Sequence, residues 1–411
     1  MQKNIYKETS KTTIFMIIIM ILCAFRFYSY YQLDNNIQKL PGMLLVPFLM
    51  IITWRQFVLK EKDPLYKGMR LLLISWILSM LMSYIFWNQS FTLSYRTSAQ
   101  CMFLVIFFYF CKKKVTRKAL EKLIVLFGWL YIILWIYAMM RAPEVTFGVT
   151  DDDLNDQRGM FRINFVGRLS LIFAYFYYLN KCFIERNPKY KVFAVIFFIF
   201  IIFQLTRQLI LWAGVVTIIS IFLRAKKLAT ILGVLFFALY IGSVNINFSD
   251  DSVIGSMINL TNTQIDNNQY SGTEDIRVTE YKYFFGEWSP NLITNVFGNG
   301  MPHTDSSYGH YYTNLQSEGL YLSDVGYPSM FVLLGLFGLI LYLWLFIKCT
   351  MEKLPKELSY VNMFMGFMIP ANIAASWYMG ADTQLAMCIC VYLIYTYHKR
   401  PQLLNLKKDE I

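Results

Sequence analysis

Cysteine is sparse in this chain. Its seven occurrences lie in or beside apolar tracts at no metal-ligand spacing, which argues against a zinc cluster and a disulfide framework. They read as small apolar fillers. No internal repeat is visible, and the tract around Pro370 has no counterpart in the first half, so the inverted halves of a secondary transporter are not apparent. No small-residue cleavage site follows the first apolar tract, Thr12 to Cys23. Its basic start therefore does not make it a secretory signal, and it reads as a retained helix. Basic and aromatic residues are not interleaved on a spaced surface, so the net charge of +12 does not point to nucleic acid.

Apolar residues are plentiful: 56% of the 411 positions are hydrophobic, with Phe 35, Tyr 29 and Trp 9. Apolar tracts recur from Thr12 to Tyr397, separated mostly by short charged segments. In lipid a helix satisfies its own backbone hydrogen bonds, and such tracts suit that solvent. The predicted fold class is an all-α polytopic membrane protein with about twelve transmembrane helices and one large extracytoplasmic loop. The expected spans are 12–31, 41–59, 70–87, 95–111, 120–140, 163–180, 191–205, 208–223, 228–245, 328–347, 359–377 and 382–397. They divide the chain into a membrane bundle at 1–245, a loop at 246–327, and C-terminal helices with a tail at 328–411.

Charge placement orients these spans. With the N terminus in the cytoplasm, most of the 38 basic residues fall on one side, including Lys112-Lys113-Lys114, Arg224 through Lys227, and Lys399-Arg400. The opposite side receives Asp151, Asp152, Asp153, Asp156 and an acidic loop whose only basic residues are Arg277 and Lys282. The positive-inside pattern then predicts a multi-pass membrane protein with both termini cytoplasmic and the large loop extracytoplasmic.

Candidate site residues gather on the side opposite the basic clusters. His303 and His310 lie in the long loop, and either can exchange a proton near neutral pH. Their seven-residue separation fixes no coordination geometry, so no metal is expected. Arg207 sits in Gln204-Leu205-Thr206-Arg207-Gln208 between two apolar tracts. An arginine at the centre of a membrane helix costs roughly 2.5–3.5 kcal/mol, and its forked guanidinium can grip phosphate oxygens in pairs. Snorkelling to headgroups or pairing with a buried acid would also account for it. Arg158, Arg162 and Arg168 stand near the extracytoplasmic entry of the predicted span at 163–180, and Arg277 lies in the loop. Several cations suit a diphosphate. Glu318 and Asp324, near the loop's return, can orient a histidine or bind sugar hydroxyls. The abundant Tyr and Trp also serve as interface anchors.

At these residues the chain resembles bacterial polysaccharide polymerases of the O-antigen polymerase and O-antigen ligase superfamily. Leu205-Thr206-Arg207 is similar to that family's arginine motif, with Thr206 where serine is common. Asn295-Val296-Phe297-Gly298-Asn299-Gly300 is similar to its Gly-rich passage. His310 through Gly319, then Asp324-Val325-Gly326 and the glycine-containing helix Leu334 to Leu341, resemble its passage from loop to membrane. The resemblance implies polymerisation of undecaprenyl-diphosphate-linked oligosaccharide repeat units by metal-independent glycosyl transfer on the outer face of the bacterial cytoplasmic (inner) membrane. It implies catalytic roles for His310 and Arg207, and substrate contacts from Arg168, Arg277, Arg158, Arg162, His303, Glu318 and Asp324. No cofactor is expected. Expected partners are undecaprenyl-diphosphate-linked oligosaccharides, membrane lipids, a flippase and a chain-length regulator, and no nucleic acid. The alternatives are an O-antigen ligase acting on lipid A-core, a lipid-linked oligosaccharide transporter or flippase, and a structural or sensory membrane protein.

Overall fold

A computed structural model describes residues 9–26, 35–142, 144, 146, 163, 167–185, 187–204, 206–223, 276–399 and 401. All regular structure among them is helical. The helices are α1 (Lys11–Phe25), α2 (Asn35–Val58), α3 (Pro64–Trp87), α4 (Phe91–Ser98), α5 (Ile106–Lys113), α6 (Arg117–Arg141), α7 (Arg168–Glu185) and α8 (Pro188–Phe203). They continue with α9 (Arg207–Phe222), α10 (Ile276–Gly286), α11 (Leu292–Phe297), α12 (Ser307–Ser317), α13 (Gly326–Met351), α14 (Ser359–Ala371) and α15 (Ala381–Lys399).

Local chemistry sets many of the boundaries. Asp63 caps α3 by accepting the Leu65 and Tyr66 amides at 2.9 and 3.2 Å, with Pro64 at the first helical position, where its missing N–H costs nothing. Asn187 and Pro188 repeat the device at α8. Ser306 starts α12 by accepting the Gly309 amide at 3.0 Å.

Four described helices are long and apolar enough to cross a membrane: 37–58, 64–87, 117–141 and 326–351. The expected architecture of about twelve spans is therefore corrected. The physical reasons differ from tract to tract. The tract at 95–111 is broken into α4, a 3-10 turn at Cys101–Val105 and α5. Its polar start is tied to the 276–325 segment, since Thr97 Oγ1 donates to the Met301 carbonyl at 3.2 Å. Helices α8 and α9 have 16 residues each, about 24 Å against a hydrocarbon thickness of about 30 Å. Helix α14 stops after 13 residues, one residue past Pro370, where Asn372 turns its amide back onto the Met368 carbonyl at 2.7 Å. Helix α15 is apolar but buried along its length from Ala381 to Thr396. It opens on Asp382, Thr383 and Gln384 and closes on His398 and Lys399, which shortens its apolar stretch, and it packs against α1, α5, α7 and the 3-10 turn. The span at 228–245 lies outside the described residues.

The multi-pass cytoplasmic-membrane localisation, with cytoplasmic termini and a large extracytoplasmic loop, depended on twelve alternating crossings and is corrected with them. The described part of that loop is an ordered cap. Helices α10 and α11 pack on α13, and α11 also reaches α3. The Gly-rich passage docks on a break in α13: Asn299 and Gly300 donate their amides to the Val332 and Leu333 carbonyls at 2.8 and 3.1 Å. Gly335 breaks the helix with φ +68°, and a Cβ there would stand 2.3 Å from the Val296 carbonyl. Gly298, at φ +84°, faces the Leu333 carbonyl at the same 2.3 Å. Only glycine admits both the left-handed backbone and the close approach.

Each of the four long helices turns one face outward. On α2 that face carries Ile37, Leu44, Ile51 and Val58, and on α6 it carries Leu126, Ile133 and Met140. On α3 it is Ile77, Leu81 and Ile85, and on α13 Leu336, Ile340 and Ile347. Spacings of seven and four place each set on one side of its helix. The opposite sides form the core, with Trp76, Tyr131 and Tyr342 fully buried.

Candidate functional site

The arginines expected at the site come from three elements. Arg168 opens α7 and is buried. Its Nη1 donates to Thr206 Oγ1 at 3.3 Å, its guanidinium stands 5.3 Å from the centre of the Trp377 ring, and it reaches the Tyr131 hydroxyl. Arg207 opens α9 and is partly buried. Burial, and then the charge of Arg277 on α10, push the Arg207 guanidinium below its ordinary value. Arg168 thus reaches the α8–α9 turn at Thr206, and Arg207, the next residue, stands within electrostatic reach of Arg277.

The turn itself is stiffly held. Gln204 is buried, accepts the Tyr131 hydroxyl at 2.8 Å and donates to the Phe200 carbonyl at 3.3 Å. Thr206 Oγ1 donates to the Gln204 carbonyl at 3.1 Å. Gln208 Nε2 donates to the Ala371 carbonyl at 2.6 Å, tying α9 to the end of α14. From the cap, the Tyr281 hydroxyl of α10 donates to the Ile373 carbonyl at 2.5 Å, tying the helix that carries Arg277 to the same segment.

Asp382 is a buried acid within electrostatic reach of Arg168. Its Oδ2 accepts the Leu169 amide at 3.1 Å and its Oδ1 the Thr383 amide at 2.9 Å. Burial raises its carboxyl above the usual carboxylate range, against the pull of those amides and of Arg168. A buried acid with two backbone donors holds the first turn of α7 and therefore positions Arg168. Neither Asp382 nor Trp377 figured among the expected site residues. An acid opening an apolar tract was the only sequence signal for Asp382, and nothing local marked Trp377.

The remaining candidates are dispersed. His310 lies on the exposed face of α12, and no described hydrogen bond or ion pair joins its ring to Arg207. His303 is buried in the preceding turn. Its amide donates to Gln89 Oε1 at 2.9 Å, and its Nδ1 accepts the Asp305 amide at 3.1 Å, which makes Nδ1 the unprotonated nitrogen. Burial lowers its affinity for a proton; Asp305 opposes this, and Arg96 and Lys39 add to it. Glu318 is exposed at the end of α12. Asp324 is also exposed and accepts the Ser323 hydroxyl at 3.0 Å. Arg158 and Arg162 lie outside the described residues.

Arg207 and Arg277 carry charges close enough to disfavour each other, and guanidinium groups are chemically suited to charge-assisted hydrogen bonds with an oxyanion. Among the described residues no group of three or more His, Cys, Asp or Glu side chains could hold a metal ion.

Compared with family models and with curated proteins, the chain gives no match. The resemblance to O-antigen polymerases and ligases is corrected, because four membrane-length helices among the described residues do not make the large polytopic fold of those families. Polymerisation of lipid-linked repeat units, and with it the ligase and flippase alternatives, required that multi-pass architecture and falls with it.

Proposed function

We propose that the protein recognises a phosphate- or diphosphate-bearing ligand at the Arg168–Arg207–Arg277 cluster. One observation supports this above the others: Arg207 and Arg277, from separate helices, bring like charges within reach of each other. Guanidinium groups brought together from separate helices can share one oxyanion through charge-assisted, paired hydrogen bonds. Arg168, stacked on Trp377 and tied to Thr206, adds a third, fixed cation. The apolar outer faces of α2, α3, α6 and α13 are suited to membrane lipids as partners. A ligand with a phosphorylated head and an apolar tail, the class that includes lipid-linked diphosphates, fits both features. Recognition is the proposed role, rather than a chemical step, because no described contact joins His310 to the arginines.

The test is calorimetric titration of the full-length protein in detergent with inorganic pyrophosphate. The expected result is one-to-one binding that weakens at least about tenfold in Arg207→Gln, the loss of roughly one charge-assisted hydrogen bond. Equal affinity in a folded Arg207→Gln variant would remove the site from consideration.

A further inference from the structure

The cap carries a helix whose polarity is reversed. Helix α11, Leu292 to Phe297, contains no charged residue. Leu292 is 76% exposed and Ile293 51%, with Val296 and Phe297 exposed beside them, whereas Thr294 is fully buried. At 3.6 residues per turn the four apolar side chains fall within one arc of the helix, and Thr294 falls outside it. Thr294 tolerates burial because its hydroxyl donates to the Asn291 carbonyl at 2.9 Å and its amide to Asn291 Oδ1 at 3.0 Å. A surface helix in water has the opposite order, apolar residues inward and polar ones outward. Helix α12 of the same cap keeps that order: Tyr308 and Leu315 are buried, while His310, Asn314 and Ser317 are exposed.

Helix α11 adjoins two of the membrane-length helices, α13 and α3. The Phe297 ring stands 6.4 Å from that of Phe337, and the Val296 carbonyl lies against Gly335. The outward apolar face of α13 begins at that point: Leu336, Ile340 and Ile347 are exposed, while Met330, Val332, Leu333 and Leu334 are buried. From Leu336 to Ile347 the helix rises about 17 Å, against a hydrocarbon thickness of about 30 Å. The missing length falls where the cap covers α13, and there α11 presents its apolar side chains. Aromatic residues stand at the same level. Trp87, the last residue of α3, is partly exposed, stacks on Tyr308 at 4.3 Å and lies 5.4 Å from the exposed Tyr311. Its indole N–H donates to Asn299 Oδ1 at 2.9 Å, just past the end of α11. Trp and Tyr concentrate where hydrocarbon meets water.

We infer that α11 is seated in the edge of a lipid bilayer, with Leu292, Ile293, Val296 and Phe297 among the acyl chains and α12 in water. The partner is the hydrocarbon itself, since the face carries no charge that would select a headgroup. Continuity with the outer face of α13 favours lipid over a second protein, because one surface then runs from the long helix onto the cap. The boundary passes between α11 and α12, at the level of Trp87 and Tyr311. A short helix lying in the interface fixes the cap against the membrane. This inference rests on the reading that the outer faces of the long helices meet lipid, and it extends that contact to the cap.

The experiment labels Leu292→Cys and Ile293→Cys separately with a nitroxide in the full-length protein, reconstituted in phosphatidylcholine nanodiscs. Collision of the label with oxygen, which concentrates in hydrocarbon, is compared with collision with a water-soluble nickel chelate. Ile340→Cys on α13 is the lipid reference and Ser317→Cys on α12 the water reference. The unsubstituted protein carried through the same labelling gives the background from the native cysteines, six of which are buried. Circular dichroism checks the fold of each variant. The expected oxygen-to-nickel ratio at both α11 positions is close to that at Ile340→Cys and several-fold above that at Ser317→Cys. A water-like ratio on α11 beside a lipid-like one at Ile340→Cys overturns the seat of α11 alone. Low collision with both reagents identifies a protein surface over α11 and overturns it as well. A water-like ratio at Ile340→Cys removes the lipid reading of the long helices, and this inference with it.

Discussion

The guanidinium of Arg168 lies 5.3 Å from the centre of the Trp377 indole, which joins the first residue of α7 to a second 3-10 turn, Trp377–Met379, that precedes α15. A cation on an indole face is stabilised by about 0.5–2 kcal/mol, more where water is excluded. Trp377→Leu removes the aromatic face while keeping an apolar contact. Pyrophosphate affinity is expected to fall by about threefold to tenfold, with the unfolding midpoint little changed. Unaltered affinity in calorimetry would separate Trp377 from the arginine cluster.

Asp382→Ala leaves the buried Leu169 and Thr383 amides without their acceptor. The expected loss is about 2–4 kcal/mol of unfolding free energy, read from denaturant melts, together with weaker anion binding as Arg168 loses its anchor. The acid also makes stability depend on pH. Its folded-state value is raised, so the native state holds the proton more tightly than the unfolded chain. Its contribution is complete below the ordinary aspartate value of about 3.9 and is lost as pH rises through the raised folded value. Melts of the parent and of Asp382→Asn across about pH 4 to 7 should differ in slope, with the Asn variant flatter.

Gly335→Ala and Gly298→Ala each force a Cβ to within 2.3 Å of a backbone carbonyl at a positive φ. Each should cost more than about 2 kcal/mol, from backbone strain and overpacking together. Gly42→Ala is the contrasting case. Its nearest neighbour would be a Phe103 ring atom at 3.5 Å, and the helical position favours alanine by up to about 1 kcal/mol. Thermal unfolding of the three variants side by side checks the ordering.

Gln89 is the hub of the turn that carries His303. Its Nε2 donates to Ser94 Oγ and the Met301 carbonyl, both at 2.9 Å, while its Oε1 accepts the His303 amide at 2.9 Å and the Ser306 hydroxyl at 2.7 Å. Gln89→Ala should destabilise by about 2–4 kcal/mol, because buried partners on both sides lose their bonds at once. Faster hydrogen exchange across 301–310 is the accompanying signature.

The long apolar elements were legible because length and apolarity alone define them. The expected spans at 120–140 and 328–347 fall inside α6 and α13. Apolarity does not say what covers a surface, and there the sequence misled. Helix α15 is apolar because protein surrounds it. Its Gln384 Nε2 bonds the Tyr342 hydroxyl at 3.0 Å, a partner 42 residues away that no local pattern announces. Asn295 through Gly300 looked like a family motif, yet Gly298 and Gly300 meet the backbone of α13 and α3, a docking role. At the candidate site, Arg207 and Arg168 were singled out by their positions at helix entrances, and the fold brings both to Thr206. Asp382 and Trp377 escaped notice because each acts across more than 200 residues of chain.

The most direct test of anion recognition is a double-mutant cycle on pyrophosphate affinity, with Arg207→Gln, Arg277→Gln and the double variant titrated under one buffer and salt concentration. If both guanidiniums hold the same anion, the effects are not additive, and a coupling of at least about 1 kcal/mol is expected. Additivity within about 0.3–0.5 kcal/mol, the behaviour of independent sites, would contradict a shared ligand between Arg207 and Arg277.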